Sequence, residues 1–421
     1  MMIVQKPKGT YDVLPRESKK WQYLEDVFRS VCSYYNFKEI RTPIFERTEV
    51  FHRSSGEESD IVKKETYTFN DRGNRSMTLR PEGTASVVRS FVENKLYVDS
   101  LPQKVYYYGP MFRYERPQAG RYRQFTQFGV EAFGAESPLL DAEVISMAYH
   151  IYSILGFDQL VVKVNTLGDQ DSRDNYRNAL VDYLTPQKED LCNDCKERID
   201  TNPLRVLDCK IDSFDSPPNM SEYRTEKAQK FFDGMLEYLD ALGIPYEVDE
   251  TLVRGLDYYN HTVFELQATI EGFGSHNTLC GGGRYNGLVK EFGGPDIPGI
   301  GFAFGVDRTL LALEAAGIKL SKPEFINCYV ATFPETRVEG ARLVDALRLS
   351  GFITEMSHEE KSLKAQLKQA DKMNAEIILI LGEEEFKNEE IIVKHHGNQV
   401  NIKLEKIIDY LDSLNLGEIN E

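Results

Sequence analysis

The 421-residue sequence has one tryptophan, six scattered cysteines, no apolar run long enough to cross a bilayer and no excess of basic residues. A membrane span needs about 20 consecutive apolar residues, and the opening MMIVQKPKGTYDVLP lacks the apolar core of a secretory signal. A cytoplasmic protein with no membrane partner is therefore expected. Cys32, Cys192, Cys195, Cys209, Cys280 and Cys328 are too few and too dispersed for a disulfide framework, so thiols in a reducing compartment are expected. The net charge of -17, with acids outnumbering bases beyond Ile326 as well, excludes a polycation that coats nucleic acid indiscriminately. A local basic surface would still suffice for an RNA that must be released, because affinity follows the phosphates neutralised, not net charge. No DNA partner is expected. The sequence also lacks internal repeats and low-complexity segments. What remains, 41% hydrophobic and 28% charged residues, is the composition of a globular chain large enough for two domains and a smaller insert.

Trp21, Leu24, Val27, Phe28, Val31 and Tyr35 recur at three- and four-residue spacing and predict an opening helix. Phe37 to Phe45 alternates loosely as a strand, and its Pro43 would confine it to an edge or interface. Glu65 to Leu79 reads as a hairpin whose turn, Asn70 to Asn74, offers Gly73 for a positive φ. Pro81 and Glu82 suit the first turn of the helix that follows, so Glu82 has an ordinary reading as a helix-start carboxylate. Two aromatic-rich strands, Lys104 to Arg116 and Arg123 to Phe133, imply antiparallel pairing. A helix at 138 to 153, a strand at 158 to 165 and a polar, mostly helical stretch come next. After a strand at His261 to Gln267 and the glycine-rich run from Leu279 to Gly287, Gly299 to Gly305 enters another helix. Past Pro323, strands and helices alternate as in a separate α/β domain, with two short strands, a hairpin where His395 and His396 read as solvated surface, and then a last helix.

Four constellations could carry chemistry. Lys104, Arg113, Arg116, Arg121 and Arg123 face a single acid, Glu115, in an otherwise acidic chain; guanidinium groups there could grip a polyphosphate, although a solvated hairpin tip would carry the same charges. Gly281-Gly282-Gly283 fits neither GxGxxG nor GxxxxGK[ST]; close backbone approach to a ligand and a tight turn both remain open. Arg254-Gly255-Leu256-Asp257-Tyr258-Tyr259 pairs a cation with two phenols, suiting a small polar or aromatic ligand or simply a core. Cys192-x-x-Cys195 with Cys209 supplies three thiols, and His261, His276 or Cys280 could complete a set only through the fold, so no tightly bound metal is expected.

Taken together, these pieces resemble the class II aminoacyl-tRNA synthetases and, within them, the histidyl-tRNA synthetase family over nearly the whole chain. Trp21 to Pro43 is similar to motif one, which implies a homodimer. Phe112-Arg113-Tyr114-Glu115-Arg116 through Arg121-Tyr122-Arg123-Gln124-Phe125 resembles motif two. Gly301-Phe302-Ala303-Phe304-Gly305-Val306-Asp307-Arg308 resembles motif three. Arg254 to Tyr259 and Gly282-Gly283-Arg284-Tyr285-Asn286-Gly287-Leu288 resemble the two signatures of the histidine enzymes, and Ser362 to Asp371 resembles the helical signature of an anticodon-binding domain.

The resemblance implies an α+β fold: an antiparallel class II sheet flanked by helices over residues 1–322, with a helical insert at about 170–225, followed by an α/β anticodon-binding domain at 323–421. It implies ligation of L-histidine to tRNA(His) through a histidyl-adenylate, with ATP as substrate and Mg2+ carried by ATP. Arg113, Glu115, Arg121, Phe125 and Arg308 would bind ATP, and Arg254, Arg113 and Arg308 would be the catalytic cations. Glu82, Gly83, Thr84, Arg113, Gln127, Glu131, Arg254, Tyr258, Tyr259 and Tyr285 would surround histidine, while Arg116 and Gln118 would meet the tRNA acceptor end. Two competing readings are a histidine-sensing regulatory relative of the same fold, for which Arg254, the basic loop and the tail domain would be dispensable, and a synthetase for another amino acid, against which the tyrosines speak.

Overall fold

The computed structural model of the chain describes residues 4–55, 65–118, 120–207, 209, 211–253, 258–270, 277–320, 325–414 and 416. They form two compact units, Met1–Leu320 and Ser321–Glu421.

The first unit opens with α1 (Pro15–Tyr34), entered at a proline and buried along Leu24, Phe28 and Val31. The strand expected over Phe37 to Phe45 is two strands in different sheets: β1 (Lys38–Glu39) and, beyond Pro43, β2 (Phe45–Arg47). The break has a local cause. Pro43 has no N–H for a ladder, and the buried Arg80 guanidinium donates instead to Thr42 O (3.1 Å), Thr42 Oγ1 (3.1 Å) and Pro110 O (2.9 Å). After α2 (Thr48–Ser55), β3 (Tyr67–Asn70) and β4 (Ser76–Leu79) form the expected hairpin. Its positive φ falls on Asn74 and not on Gly73, because the Asp71 carboxylate caps the Gly73 and Arg75 amides at 2.8 and 2.9 Å and Asn tolerates the left-handed region.

The main sheet follows: β5 (Gln103–Phe112), β6 (Gln124–Phe133), β7 (Leu160–Thr166), β8 (Tyr246–Val248), β9 (Asn260–Ala268), β10 (Thr278–Arg284) and β11 (Gly299–Gly305). Its order is β1-β5-β6-β11-β10-β9-β7-β8. The six central strands are antiparallel, and a short parallel strand closes each edge. Between strands run α3 (Thr84–Glu93), α4 (Pro138–Ile154), α5 (Gln170–Leu184), α6 (Asn193–Thr201) and α7 (Glu226–Ala241), then α8 (Leu288–Glu291) and, after β11, α9 (Val306–Ala315).

Period-two alternation sorts the sheet into two faces. Phe128, Val130, Ile300, Phe302 and Phe304 pack with Phe28 of α1 and with α4 in the larger core. Gln127, Gly129, Glu131, Gly299, Gly301 and Gly305 occupy the alternate positions. On β11 every bulky side chain thus points one way and every small one the other, which leaves a trough on the second face. Gly281, Gly282 and Gly283 lie inside β10, so the tight turn that their sequence permits does not occur.

One buried ion pair locks the sheet to α4. Arg284 and Asp141 are both fully buried; Nε donates to the two carboxylate oxygens at 3.1 Å each, and Nη1 donates to Ala135 O at 3.1 Å.

In the second unit, β12 (Ile326–Thr332), β13 (Thr354–Met356), β14 (Ala375–Leu381), β15 (Glu390–His395) and β16 (Asn398–Lys403) lie in the order β13-β12-β14-β15-β16, parallel for the first three and antiparallel thereafter. Of its helices α10 (Arg337–Leu349), α11 (Leu363–Lys372), α12 (Glu383–Lys387) and α13 (Ile407–Asp412), α11 is capped by Ser362. The buried Gln366 fastens it to the sheet by exchanging hydrogen bonds with the Thr332 backbone (2.7 and 3.0 Å). Lys364, Lys368 and Lys372 are left on its exposed side.

Removing one member of the Arg284–Asp141 pair strands the other charge, a change that costs roughly 3–5 kcal/mol. Arg284→Met is expected to lower unfolding free energy by about that amount in a denaturant titration, and Arg284→Met combined with Asp141→Leu to recover a large part of it. A single variant within about 1 kcal/mol of the parent would show that the pair carries no such constraint.

Candidate active site

The trough on the second face deepens into a cavity of about 290 Å³ between β5, β6, β10, β11 and the start of α9. Of the residues singled out from sequence, it brings together Glu82, Thr84, Arg113, Phe125, Gln127, Glu131, Tyr258, Tyr259, Tyr285 and Arg308. Gly83 lies directly behind, its amide donating to Gln127 Oε1 at 3.1 Å. Arg254 lies outside the described residues, as do its neighbours through Asp257.

Two acids, Glu82 and Glu131, line the cavity. Glu131, on β6, accepts from Thr84 Oγ1 at 2.7 Å and from the Tyr285 hydroxyl, and it is 1% exposed. Burial raises its pKa from 4.5 to about 8, more than those hydrogen bonds lower it. Glu82 combines its helix-start reading with a place in the cavity: its oxygens accept from the Thr84 and Ala85 amides at 2.6 and 3.0 Å, while burial pushes its pKa up. Tyr258, Tyr259 and Tyr285 line the cavity too, with ring centroids 4.6 Å apart for the first pair and 5.7 Å for Tyr258 and Tyr285. Two glycines make room. A Cβ on Gly301 would stand 2.0 Å from Glu131 Oε2, and one on Gly83 would stand 2.1 Å from the Tyr107 ring.

Two arginines, Arg113 and Arg308, line it as well. Arg113 follows β5; its Nε donates to Pro81 O at 2.8 Å, and its guanidinium lies 5.4 Å from the Phe125 ring centre. Glu115 lies between Arg113 and Arg121, at 3.9 and 3.7 Å, so the one acid of the basic segment positions two of its cations. Arg308 sits in the first turn of α9, its pKa lowered by burial and then by the nearby Arg121. Within the link from Arg113 to Arg123, Gln118 and Arg121 exchange backbone hydrogen bonds (3.2 and 2.9 Å). Arg116 and Gln118 are exposed there, away from the cavity lining.

Several residues that hold the site escape sequence reasoning. Asp307 accepts from the Thr126 amide (2.8 Å) and from the Tyr11 hydroxyl. The N-terminal segment is tied in further by Arg123 N donating to Gly9 O at 2.8 Å and by Tyr11 lying against Tyr122, ring centroids 4.7 Å apart. Tyr107, Thr278 and Ala303 also line the cavity. The alternation of small and large residues from Gly299 to Gly305 was the available signal for the trough; nothing in sequence pointed to Tyr11.

A family model described as histidyl-tRNA synthetase matches residues 9–169 and 204–309, and one described as an anticodon binding domain matches 327–414. The chain is 52% identical to a histidine--tRNA ligase of Anoxybacillus flavithermus over 418 residues, covering 97% of this chain and 99% of that protein. It is 50% identical over 410 residues to the Bacillus subtilis protein of the same name, covering 96% and 97%. The crystal structure of apo Staphylococcus aureus histidyl-tRNA synthetase superposes with a TM-score of 0.86 at 42% identity, covering 97% of this chain and all of that one.

Glu131 gives the site a pH signature. Its folded-state pKa lies above the unfolded value, so the unfolded chain ionises first and stability falls as pH rises from about 4.5 to about 8. Glu131→Gln removes that loss. The variant is expected to gain on the parent by about 3–4 kcal/mol between pH 5 and pH 8, measured as the difference of their urea unfolding curves; a pH-independent difference would refute the buried, protonated carboxyl.

Proposed function

The chain belongs to the histidyl-tRNA synthetase family, and from that membership we propose how its residues divide the reaction, the ATP-dependent ligation of L-histidine to tRNA(His) through a histidyl-adenylate with release of AMP and pyrophosphate. The observation that carries the assignment is one cavity lined both by buried acids and phenols and by arginines.

Histidine offers an ammonium, an imidazole and a carboxylate. The imidazole goes to Glu131, where a carboxyl group stands among the rings of Tyr258, Tyr259 and Tyr285; the ammonium goes to Glu82, Thr84 and Gln127 beside Gly83. These polar groups are buried, so a ligand whose side chain cannot hydrogen-bond forgoes contacts worth about 0.5–1.5 kcal/mol each, more where one partner is charged. Selection can thus rest on binding without an editing step.

The histidine carboxylate then points to Arg113, which also meets the α-phosphate of ATP. Adenylation joins two anions, so fixed cations must neutralise charge gathering at phosphorus. Arg113 and Arg308 hold phosphates, Arg254 is the catalytic cation at the α-phosphate, and Glu115, Arg121 and Phe125 seat the nucleotide. Magnesium enters bound to the ATP phosphates, whose oxygens suit it. Arg116 and Gln118, on the exposed loop, take the acceptor end of tRNA(His), and the second unit takes the anticodon. The protein works as a cytoplasmic homodimer; among its described residues no helix is long and apolar enough to cross a membrane.

The deciding measurement is amino-acid-dependent exchange of pyrophosphate into ATP with each of the twenty amino acids. Exchange with histidine alone is expected; histidine binding without any exchange would replace this reading with a regulatory one. Arg254→Ala should reduce exchange by at least about 10²-fold while histidine affinity stays within a few-fold, and near-normal exchange would remove Arg254 from catalysis. Light scattering should give about twice the chain mass of 48.2 kDa; a monomer at micromolar concentration would defeat the dimer.

A further inference from the structure

Three sulfurs and a carboxylate oxygen converge in the segment between β7 and β8, far from the cavity in sequence. Cys192 is the N-cap residue of α6 and Cys195 lies in its first turn; Cys209 and Asp212 follow a short 3-10 helix at Pro203–Val206. The four ligand atoms lie within 4.8 Å of one another. Sequence spacing offered no fourth ligand beside the thiols, and the fold supplies one in Asp212. Of the distant alternatives, Cys280 lines the cavity, His261 lies buried at the start of β9, and His276 is outside the described residues.

The separations match a tetrahedral metal. With metal–sulfur bonds of about 2.3 Å and metal–oxygen bonds of about 2.1 Å, as zinc makes, a regular tetrahedron has sulfur–sulfur edges of about 3.8 Å and sulfur–oxygen edges of about 3.6 Å. Cys192 Sγ lies 3.8 Å from Cys209 Sγ, and Cys209 Sγ lies 3.6 Å from Asp212 Oδ2. A disulfide would need about 2.05 Å, and all three cysteines are unpaired thiols.

The surroundings favour a charged sulfur cluster. Cys209 Sγ accepts from two successive backbone amides, Ile211 N at 3.4 Å and Asp212 N at 3.3 Å, which suits a thiolate. The Asp212 carboxylate is aimed by the Cys192 amide, at 3.2 and 3.1 Å to its two oxygens, the kind of outer hydrogen bond that orients a metal ligand.

The segment also has a use for a staple. Its apolar core is Tyr176, Leu180, Leu184, Cys195, Ile199, Val206 and Met220, small for a stretch of some fifty residues. The histidyl-tRNA synthetase family model leaves residues 170–203 unmatched, so family membership assigns nothing to Cys192 or Cys195.

We propose that Cys192, Cys195, Cys209 and Asp212 bind one structural zinc ion that pins the start of α6 to Cys209 and Asp212. Four protein ligands leave no open position, so the ion holds the insert together and takes no part in the reaction. Thiolates select zinc over the magnesium that accompanies ATP.

The test uses the full-length protein grown with zinc and passed over a desalting column. Elemental analysis is expected to find about one zinc per chain, and cobalt substitution to produce visible bands of a tetrahedral thiolate site. Cys192→Ser with Cys209→Ser should abolish both. Should that variant fail to fold, the parent serves: an organomercurial titrated against its thiols should release the zinc, with a lowered melting temperature. A parent that takes up neither zinc nor cobalt, zinc retained by the double variant, or a Cys192–Cys209 disulfide found by mass spectrometry would each overturn the proposal.

Discussion

The architecture of the first unit depends on keeping a carboxyl group dry in the middle of a sheet. Glu131 stands on β6 between two neighbouring strands, and an uncompensated charge there would be prohibitive. Thr84 and Tyr285 satisfy its oxygens, and burial shifts the proton onto the group at neutral pH. Each of those partners makes its own demand. Thr84 must begin a helix pointing at the sheet, which Glu82 arranges by capping its amides; Tyr285 must follow β10 directly, and Arg284 anchors that spot through Asp141. Gly301 must be glycine, because the Glu131 carboxylate occupies the place of its Cβ. The cavity is what remains when these conditions are met together.

The same residues explain why a basic rim can coexist with an acidic chain. Arg113 and Arg121 share Glu115, which offsets part of their mutual repulsion and preorganises them, while Arg308 is brought up by a helix that starts where β11 ends. Fixed positions matter more than net charge, since a preoriented cation needs no rearrangement when charge develops.

Much of this was legible in the sequence. Period-two and period-3.6 patterns located the opening helix, the paired aromatic strands and the helix at 138–153 of the first unit to within a few residues, since those periods report which face is buried. They missed Thr48–Ser55, Tyr246–Val248 and Glu383–Lys387 and did not read the glycine run as a strand. The local signatures around Arg113, Tyr285 and Arg308 indicated the family. What the sequence withheld was of another kind. Arg80 occupies the Thr42 carbonyl beside Pro43; Asp307 and Tyr11 meet across the unit; Arg284, read within a signature, is a buried ion-pair partner; Asp212 joins the cysteines. Each is a contact between residues distant in sequence or lacking a repeating pattern, and no local propensity records it. The placement of the positive φ at Asn74 is the local counterpart: either residue of the turn could have taken it, and the Asp71 carboxylate decided.

The link between Tyr11 and Asp307 spans 296 positions of chain, and β6, made early, pairs with β11, made late. During synthesis the β6 edge therefore emerges from the ribosome long before its neighbour exists, an unpaired edge of the kind that invites misassociation. The cavity cannot assemble piecemeal: a nascent chain ending in the insert has the carboxylates of the site but neither Gly301 nor Arg308. The cavity is thus completed late, when β10, β11 and the helix that carries Arg308 join the strands made first.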